Sequence, residues 1–228
     1  MTGSPPPQPI RRHPIFARFY ARISPAMDAQ GAAEHRRTLL AGLAGRVLEI
    51  GAGNGLNFAH YPSTVTDVLA VEPEPYLHGL AQVAAGQAPV PVRVVDGTAD
   101  AVPTPDASMD AAVASLVLCS VPDQARALAE LHRVLRPGGE LRFFEHVQAD
   151  TAGLARVQRL ADVIWPTLLG GCHTSRNTLA AITDAGFQIT SVKRFRFPED
   201  RLPQPAAPHV LGVAHRPTSP QPEDSPRP

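Results

Sequence analysis

The feature that most constrains the fold of this chain is a series of short apolar segments that alternate with helical patterns. Five segments rich in β-branched and other apolar residues are predicted to be strands, at residues 46–50, 67–71, 92–95, 111–118 and 140–144. Helical patterns lie between them, notably at residues 124–135, which end before Pro137-Gly138-Gly139. Strands that alternate with helices form parallel sheets, because each crossover helix returns the chain to the same end of the sheet. The sequence therefore predicts an α/β fold with helices on both faces.

Other patterns flank this predicted core. From residue 13 to residue 43, apolar side chains recur at helical spacing, and Pro25 is expected to divide the stretch into two helices. Towards the other end, residues 179–185 have a helical pattern, while residues 188–196 and 209–215 have strand patterns. We expect these two segments to pair and close the sheet, with the last strand antiparallel to the others.

The composition fits a single globular domain. A chain of 228 residues of which 43% are hydrophobic can bury one α/β core. Its 21 basic and 21 acidic residues balance, which argues against nucleic acid as a partner. No apolar stretch reaches the roughly 20 residues of a membrane helix, so we predict no stable membrane insertion. The two cysteines fit a reducing compartment, and we therefore expect a cytoplasmic location. The predicted organisation is a disordered proline-rich tail at 1–12, a helical segment at 13–45, the main domain at 46–216 and a disordered tail at 217–228.

A glycine-rich loop directly follows the first predicted strand. Gly51, Gly53 and Gly55 stand at alternate positions, where they let the backbone turn sharply and approach a ligand closely. Leu56 occupies the place at which a dinucleotide-binding fingerprint has its third glycine, and this departure favours S-adenosylmethionine over NAD. Glu72 directly follows the second predicted strand, about 20 residues after the start of the loop, which is the usual separation for a carboxylate that binds ribose hydroxyls.

Several motifs resemble those of class I S-adenosylmethionine-dependent methyltransferases. Residues 47–55, Val-Leu-Glu-Ile-Gly-Ala-Gly-Asn-Gly, are similar to the first motif of that family. Residues 97–103 and 106–110 resemble its third-strand region, which borders the adenine, and residues 135–139 resemble its turn before the fifth strand. The matches cover about residues 46–147. The resemblance implies a Rossmann-like sheet and S-adenosylmethionine as the cofactor.

Within this superfamily the chain resembles the methyltransferase type-11 group. It is particularly similar to the methyltransferase-like-seven family of alkyl thiol methyltransferases. The closer likeness is carried by Asn57-Phe58, Tyr61-Pro62, residues 116–121, Glu145-His146-Val147, Trp165 and Gly171-Cys172. We expect no hydrophobic N-terminal anchor of the kind that those relatives have, and Thr98 stands where many of them have aspartate. Contacts to the adenine are therefore expected from the Ala99 backbone and from Asp100.

The resemblance and the predicted strand ends together indicate the cofactor site. The predicted cofactor-binding residues are Glu49, Gly51, Ala52, Gly53, Gly55, Glu72, Pro73, Thr98, Ala99, Asp100, Ser115 and Leu116. No metal is predicted, since Cys119, Cys172 and the histidines show no metal-ligand spacing, and both cysteines are expected to be free.

His146 follows the fifth predicted strand, at the place where a side chain can reach the methyl acceptor. It is the candidate catalytic residue, either as a proton acceptor near neutral pH or, alternatively, as a merely structural histidine at a strand end. The predicted acceptor pocket contains Phe16, Tyr20, Trp165, His173 and Arg176. We expect the N-terminal helix and the stretch around residues 165–176 to form a movable cover, with simple packing onto the sheet as the alternative.

The sequence leaves the acceptor atom open. Thiol sulfur, oxygen, nitrogen and carbon are all compatible, and the aromatic residues favour a small hydrophobic molecule. A nicotinamide-dependent oxidoreductase would need a third fingerprint glycine and usually a tyrosine–lysine pair, whereas Lys193 is the single lysine. A catalytically silent binding module would be expected to have a degraded glycine loop, and this loop is intact. The oligomeric state is not predicted.

Overall fold

Seven strands form one sheet in the order β3-β2-β1-β4-β5-β7-β6 in this computed structural model, which describes residues 13–198 and 204–218. The strands are β1 (Gly45–Ile50), β2 (Val65–Val71), β3 (Val92–Val95), β4 (Met109–Ser115), β5 (Leu135–His146), β6 (Gln188–Arg196) and β7 (Pro208–His215). Strands β1 to β5 are parallel, whereas β7 is antiparallel to both β5 and β6. The predicted fold class, with a mostly parallel sheet and an antiparallel last strand, is confirmed.

Helices cover both faces of the sheet. They are α1 (Pro14–Met27), α2 (Ala33–Leu40), α3 (Pro75–Ala85), α4 (Gln124–Val134), α5 (Ala152–Ala161), α6 (Trp165–Leu168) and α7 (Thr178–Asp184). A π-helix (Asp28–Ala32) joins α1 to α2, and a 3-10 turn (Phe58–His60) follows the glycine loop. Side chains of α4 and α7 belong to one hydrophobic cluster, and side chains of α2 and α3 belong to a second. These two clusters are the cores on the two faces.

The parallel strands end together at one edge of the sheet, here called the carboxyl edge. Ile50 at the end of β1 pairs with Val71 in β2 and with Ala114 in β4, and Val71 pairs with Val95 in β3. The glycine loop and the residues that follow the other strands therefore reach the same edge. In open α/β sheets this is where ligands bind.

The N-terminal helix breaks at a different residue from the one predicted. Helix α1 continues through Pro25 to Met27, so the expected division at Pro25 is wrong. Pro25 has no N–H to donate to the carbonyl of Ala21, so α1 lacks one internal hydrogen bond there but keeps its helical path. Helical dihedral angles are lost instead at Gly31, which has a φ of 115°. Glycine adopts a positive φ readily because it has no Cβ.

The largest differences from the predicted strand boundaries are at the end of β4 and the start of β5. Strand β4 ends at Ser115 instead of residue 118, because Leu116 has a φ of 57° and turns the chain out of the sheet. Strand β5 begins earlier than expected, at Leu135, which pairs with Met109 before a shift in register. Leucine rarely adopts a left-handed backbone, so the apolar sequence after Ser115 gave no sign of the turn.

The ends of the chain are only partly described. Residues 1–12 and 219–228, predicted to be disordered, lie outside the described residues. The segment at 13–45 contacts the main domain through α2, where Leu39 and Leu40 are buried in one cluster with Val47 of β1. In the stretches 13–198 and 204–218, no helix is both long enough and apolar enough to cross a membrane.

Candidate active site

A cavity of about 790 Å³ opens at the carboxyl edge of the sheet. It is lined by residues that follow β1, β2, β4 and β5, by α1, and by the segment around α6. The predicted site residues that line it are Phe16, Tyr20, Gly51, Gly53, Glu72, Pro73, Thr98, Ala99, Asp100, Ser115, Leu116, His146, Trp165 and His173. Residues predicted from separate parts of the chain thus meet around one space. Glu49, Ala52, Gly55 and Arg176 are not among its lining residues.

The glycine loop after β1 has a backbone that only glycine adopts easily. Gly51, Gly53 and Gly55 have φ values of 62°, 58° and 78°. A Cβ at Gly51 would overlap the side chain of Val117, and one at Gly55 would lie 2.7 Å from the Cβ of Ala84. These two glycines allow close packing inside the protein. Gly53 instead lines the cavity, and a Cβ at this position would have only the Tyr20 ring within 4 Å.

Glu72 holds the glycine loop and also lines the cavity. Its carboxylate accepts hydrogen bonds from the backbone N–H of Gly53 at 2.8 Å and of Glu74 at 2.9 Å. Burial raises the pKa of Glu72 to about 7, while the two N–H groups act in the opposite direction. Each carboxylate oxygen has two acceptor sites, so the side chain can accept further bonds from a ligand in the cavity.

Glu49, predicted to bind the cofactor, does not line the cavity and supports the glycine loop from behind. Its carboxylate accepts hydrogen bonds from Asn57 at 2.8 Å and from the Tyr61 hydroxyl at 2.6 Å. Arg36 completes this network by donating to Asn57 at 2.9 Å and to Asp28 at 3.0 Å. The buried network ties the N-terminal segment to the glycine loop. Sequence analysis missed Arg36, because a basic residue in a helical pattern is usually a solvated one.

The segment after β3 contributes another part of the cavity wall. Thr98, Ala99 and Asp100 line it, and Thr98 forms an isolated bridge with Ala101. The carboxylate of Asp100 lies 3.6 Å from the guanidinium of Arg126 on α4, which fixes its direction. These positions agree with the expected border of an adenine, although that role stays a prediction.

Glu145 organises the turn that follows β4. The carboxylate is fully buried and accepts hydrogen bonds from the backbone N–H groups of Val117 at 3.0 Å, Leu118 at 2.8 Å and Cys119 at 3.2 Å. Burial raises the pKa of Glu145 to about 7 against the effect of these three donors. The side chain therefore holds the left-handed turn at Leu116 and directs Cys119 into the cavity.

Cys119, His146 and Cys172, here called the Cys–His cluster, meet at one end of the cavity. The two sulfur atoms are 3.7 Å apart, and each lies 3.5 Å from Nδ1 of His146. Hydrogen bonding with Cys119 lowers the pKa of the Cys172 thiol, and the same contact raises the pKa of Cys119. Burial works to lower the pKa of His146, yet its hydrogen bond with Cys172 and the nearby negative charges raise it.

The Cys–His cluster was not recognisable from the sequence. Cys119 and His146 are separated by 27 positions, and His146 and Cys172 by 26, so no local spacing connects them. Both cysteines are free, as expected, but they lie in the cavity wall instead of serving only as core packing. Their proximity follows from the turn at Leu116 and from the course of the chain after α6.

Helix α1 and the segment after α6 close the cavity from above. Phe16 and Tyr20 stack with ring centroids 5.9 Å apart, and Trp165 lines the same cavity. The Phe16 ring packs over Gly170, where any side chain would overlap it. The two segments predicted to form a cover therefore contact each other directly. Whether that cover moves stays a prediction.

Of two further residues predicted for the acceptor pocket, His173 lines the cavity and Arg176 does not. His173 lines the cavity, and its backbone N–H donates to the Cys119 carbonyl at 2.8 Å. Arg176 is outside the lining, because its guanidinium donates to the Leu118 carbonyl at 2.7 Å. Arg176 thus supports the turn after β4 instead of facing an acceptor.

We expect Gly53→Ala to weaken cofactor binding about tenfold while the protein stays folded, because the new methyl group would stand on the cavity face. The backbone at Gly53 has a positive φ, which costs a non-glycine residue roughly 1–2 kcal/mol. Gly42→Ala is the matched control, since Gly42 has a φ of 77° and a Cβ there would meet nothing within 4 Å. Calorimetric titration and thermal unfolding of both variants should show similar losses of stability but reduced affinity only for Gly53→Ala. Equal affinities would contradict the placement of the loop.

The chain is similar to known methyltransferases. Residues 48–143 match a family model described as a methyltransferase domain. Human thiol S-methyltransferase TMT1A is 31% identical over 210 residues, which cover 87% of this chain and 85% of that protein. Human thiol S-methyltransferase TMT1B is 35% identical over 181 residues, covering 77% and 73%. The crystal structure of an S-adenosylmethionine-dependent methyltransferase from Mesorhizobium loti superposes with a TM-score of 0.61 at 23% identity, over 83% of this chain and 100% of that chain, and shows the shared fold.

Proposed function

This chain belongs to the family of S-adenosylmethionine-dependent methyltransferases that includes human TMT1A and TMT1B, and we propose that it methylates the sulfur atom of a small apolar thiol. The single observation that carries the choice of acceptor is the character of the cavity beside the Cys–His cluster. Its walls are aromatic and sulfur-containing, since Phe16 and Trp165 line the same space as the two cysteines. The names of the two relatives support the same acceptor class.

The cavity suits S-adenosylmethionine in size and in the placement of its polar groups. Pockets for ligands of this size have volumes of roughly 300–1,000 Å³, and this one has about 790 Å³. Because Gly53 has no Cβ, the loop leaves space for a ligand against its backbone. The carboxylate of Glu72 lines the same cavity. We assign the amino-acid part of the cofactor to the loop, the ribose hydroxyls to Glu72, and the adenine to Thr98, Ala99 and Asp100.

The cofactor supplies an activated methyl group on a sulfonium, so the protein has to align the acceptor and exclude water. Phe16, Tyr20 and Trp165 provide an apolar wall that favours a dry site. His146 is half-buried in the cavity wall, where its imidazole can interact with the acceptor atom. Its role as a proton acceptor stays a prediction.

The entrance of the cavity supports an apolar acceptor. Phe19 lines the cavity while 48% of its surface stays exposed. A partly exposed aromatic side chain in a cavity wall is typical of sites for hydrophobic ligands. A small molecule also agrees with the balanced charge of the chain, and we keep a cytoplasmic location as a prediction.

A paired assay tests the proposed acceptor. The protein is incubated with methyl-labelled S-adenosylmethionine and with matched pairs of an alkyl thiol and its alcohol, and of a thiophenol and its phenol. We expect label in the thioether products at least about a hundredfold faster than in the ethers, because thiolate is the stronger nucleophile at neutral pH. Faster labelling of an alcohol, phenol or amine would reject the thiol assignment, and cofactor binding without transfer to any acceptor would indicate a silent module.

A further inference from the structure

The Cys–His cluster has the geometry of a tetrahedral metal site. With Zn–S bonds of about 2.3 Å and Zn–N bonds of about 2.0–2.1 Å, tetrahedral angles place two sulfur ligands about 3.8 Å apart and a sulfur and a nitrogen about 3.5 Å apart. In this structure the Cys119 and Cys172 sulfurs are 3.7 Å apart, and each lies 3.5 Å from Nδ1 of His146. All three edges of one tetrahedral face are therefore present.

Backbone contacts hold the ligands in place independently of their side chains. Glu145 fixes the N–H groups of the turn that carries Cys119, and the Cys119 carbonyl accepts the N–H of His173. Gly171 has a φ of 87°, and a Cβ there would lie 2.8 Å from the Ser120 carbonyl oxygen. The segments that carry the two cysteines thus pack backbone against backbone. Such preorganisation is what a specific metal site requires.

Charge and burial also fit a divalent ion. Cys119 is 1% exposed and Cys172 is 7% exposed, so an ion held there would lie largely out of solvent. Two thiolates and a neutral imidazole would balance the charge of Zn²⁺, and buried charges need such pairing. A disulfide would instead need the two sulfurs about 2.05 Å apart, which is much closer than their observed contact.

We propose that Cys119, His146 and Cys172 bind one Zn²⁺ ion whose fourth position opens into the cavity and receives the sulfur of the acceptor. Three protein ligands with one open position are the arrangement of catalytic zinc sites, whereas structural sites have four protein ligands. All three residues line the cavity, so the open position faces the space in which the acceptor is held. This second half of the proposal rests on the proposed thiol activity.

The ion would activate the acceptor in a balanced step. The thiol releases its proton to solvent as its sulfur binds the ion, and it stays a thiolate at neutral pH. The sulfur lone pair then forms the new bond to the methyl carbon. At the same time the bond from that carbon to the sulfonium breaks, its electron pair stays on the departing S-adenosylhomocysteine, and the thioether leaves the ion. His146 would act in this step as a metal ligand, without taking the proton.

Metal analysis of the full-length protein tests the site itself. The reduced protein is loaded with one equivalent of Zn²⁺, dialysed, and analysed for metal by mass spectrometry, with Co²⁺ used in parallel as a spectroscopic probe. We expect one ion per chain and thiolate-to-cobalt charge-transfer bands with the strong visible absorption of a tetrahedral site. Cys172→Ser should lower the affinity for Zn²⁺ at least about a hundredfold. His60→Gln, in the 3-10 turn and outside the cavity lining, should bind as the unmodified protein does.

Addition of an alkyl thiol separates the two halves of the proposal. A thiol should shift the charge-transfer bands of the Co²⁺ form, whereas its alcohol should not. A metal-bound spectrum that is unchanged by thiol would overturn the acceptor position, and thiol methylation by protein without metal would leave the proposed function intact but overturn the zinc site. Failure to retain Zn²⁺ or to form cobalt–thiolate bands in reduced protein that still binds cofactor would also overturn the site. Retained cofactor binding and melting temperature in Cys172→Ser exclude unfolding as the cause of metal loss.

Discussion

Glu72→Ala is expected to weaken the binding of S-adenosylmethionine roughly ten- to a hundredfold. The substitution removes a charged acceptor, and hydrogen bonds to charged groups contribute about 1.5–3 kcal/mol. It also releases the N–H groups of Gly53 and Glu74, which the carboxylate holds at 2.8 Å and 2.9 Å. The glycine loop would therefore lose its fixed position next to the ligand. Calorimetric titration with S-adenosylmethionine and S-adenosylhomocysteine measures the effect.

Glu72→Gln is an intermediate variant, because an amide keeps one acceptor oxygen and the shape of the side chain but loses the negative charge. Its affinity should lie between those of the unmodified protein and of Glu72→Ala. Glu140→Ala is the surface control, since Glu140 on β5 pairs with Arg142 and does not line the cavity. An unchanged affinity in Glu72→Ala would show that another group binds the ribose.

Removal of residues 1–23 is expected to lower turnover at least about a hundredfold while the remaining chain stays folded and binds cofactor. None of the described residues of α1 belongs to either hydrophobic cluster, so the cores do not depend on this helix. The deletion would remove Phe16, Phe19 and Tyr20 from the cavity wall and admit water. Labelled-methyl transfer per folded molecule and thermal unfolding are the two measurements.

Because the deletion removes a whole segment, two point substitutions in α1 test whether the cavity-lining side chains alone cause the loss of turnover. Phe16→Ala should reduce turnover, because the ring packs against Gly170 in the roof of the cavity. Ile15→Ala should not, since Ile15 is 85% exposed and does not line the cavity. If the truncated protein melts at a much lower temperature but keeps its activity per folded molecule, α1 is a structural helix and the cover hypothesis is wrong.

Local chemistry accounts for what the sequence predicted well. Strand patterns, the positive-φ glycines and the spacing to Glu72 depend on residues near one another in the chain. They correctly indicated the sheet, and they placed Gly51, Gly53 and Glu72 at one edge of it. The register of parallel strands then brings their ends together, so a cavity at this edge follows from the fold.

The parts that sequence analysis missed depend on contacts between distant residues. The role of Glu145 depends on hydrogen bonds from three N–H groups of the turn after β4, which lie 26 to 28 positions earlier in the chain. The Cys–His cluster needs that turn, the end of β5 and the segment after α6 to converge. The break at Gly31 is a different case, because glycine is itself a poor helix former and the local signal was present, but the prediction placed the break at Pro25 instead.

The measurement that tests the central claim most directly is a crystal structure of the protein with S-adenosylhomocysteine. The claim is that one cavity holds the cofactor and presents its sulfur to the Cys–His cluster. We predict the homocysteine part against Gly51 and Gly53, the ribose hydroxyls on the carboxylate of Glu72, and the cofactor sulfur directed towards His146. A complex with the adenine at the Cys–His cluster, or with the ligand bound outside this cavity, would contradict the account.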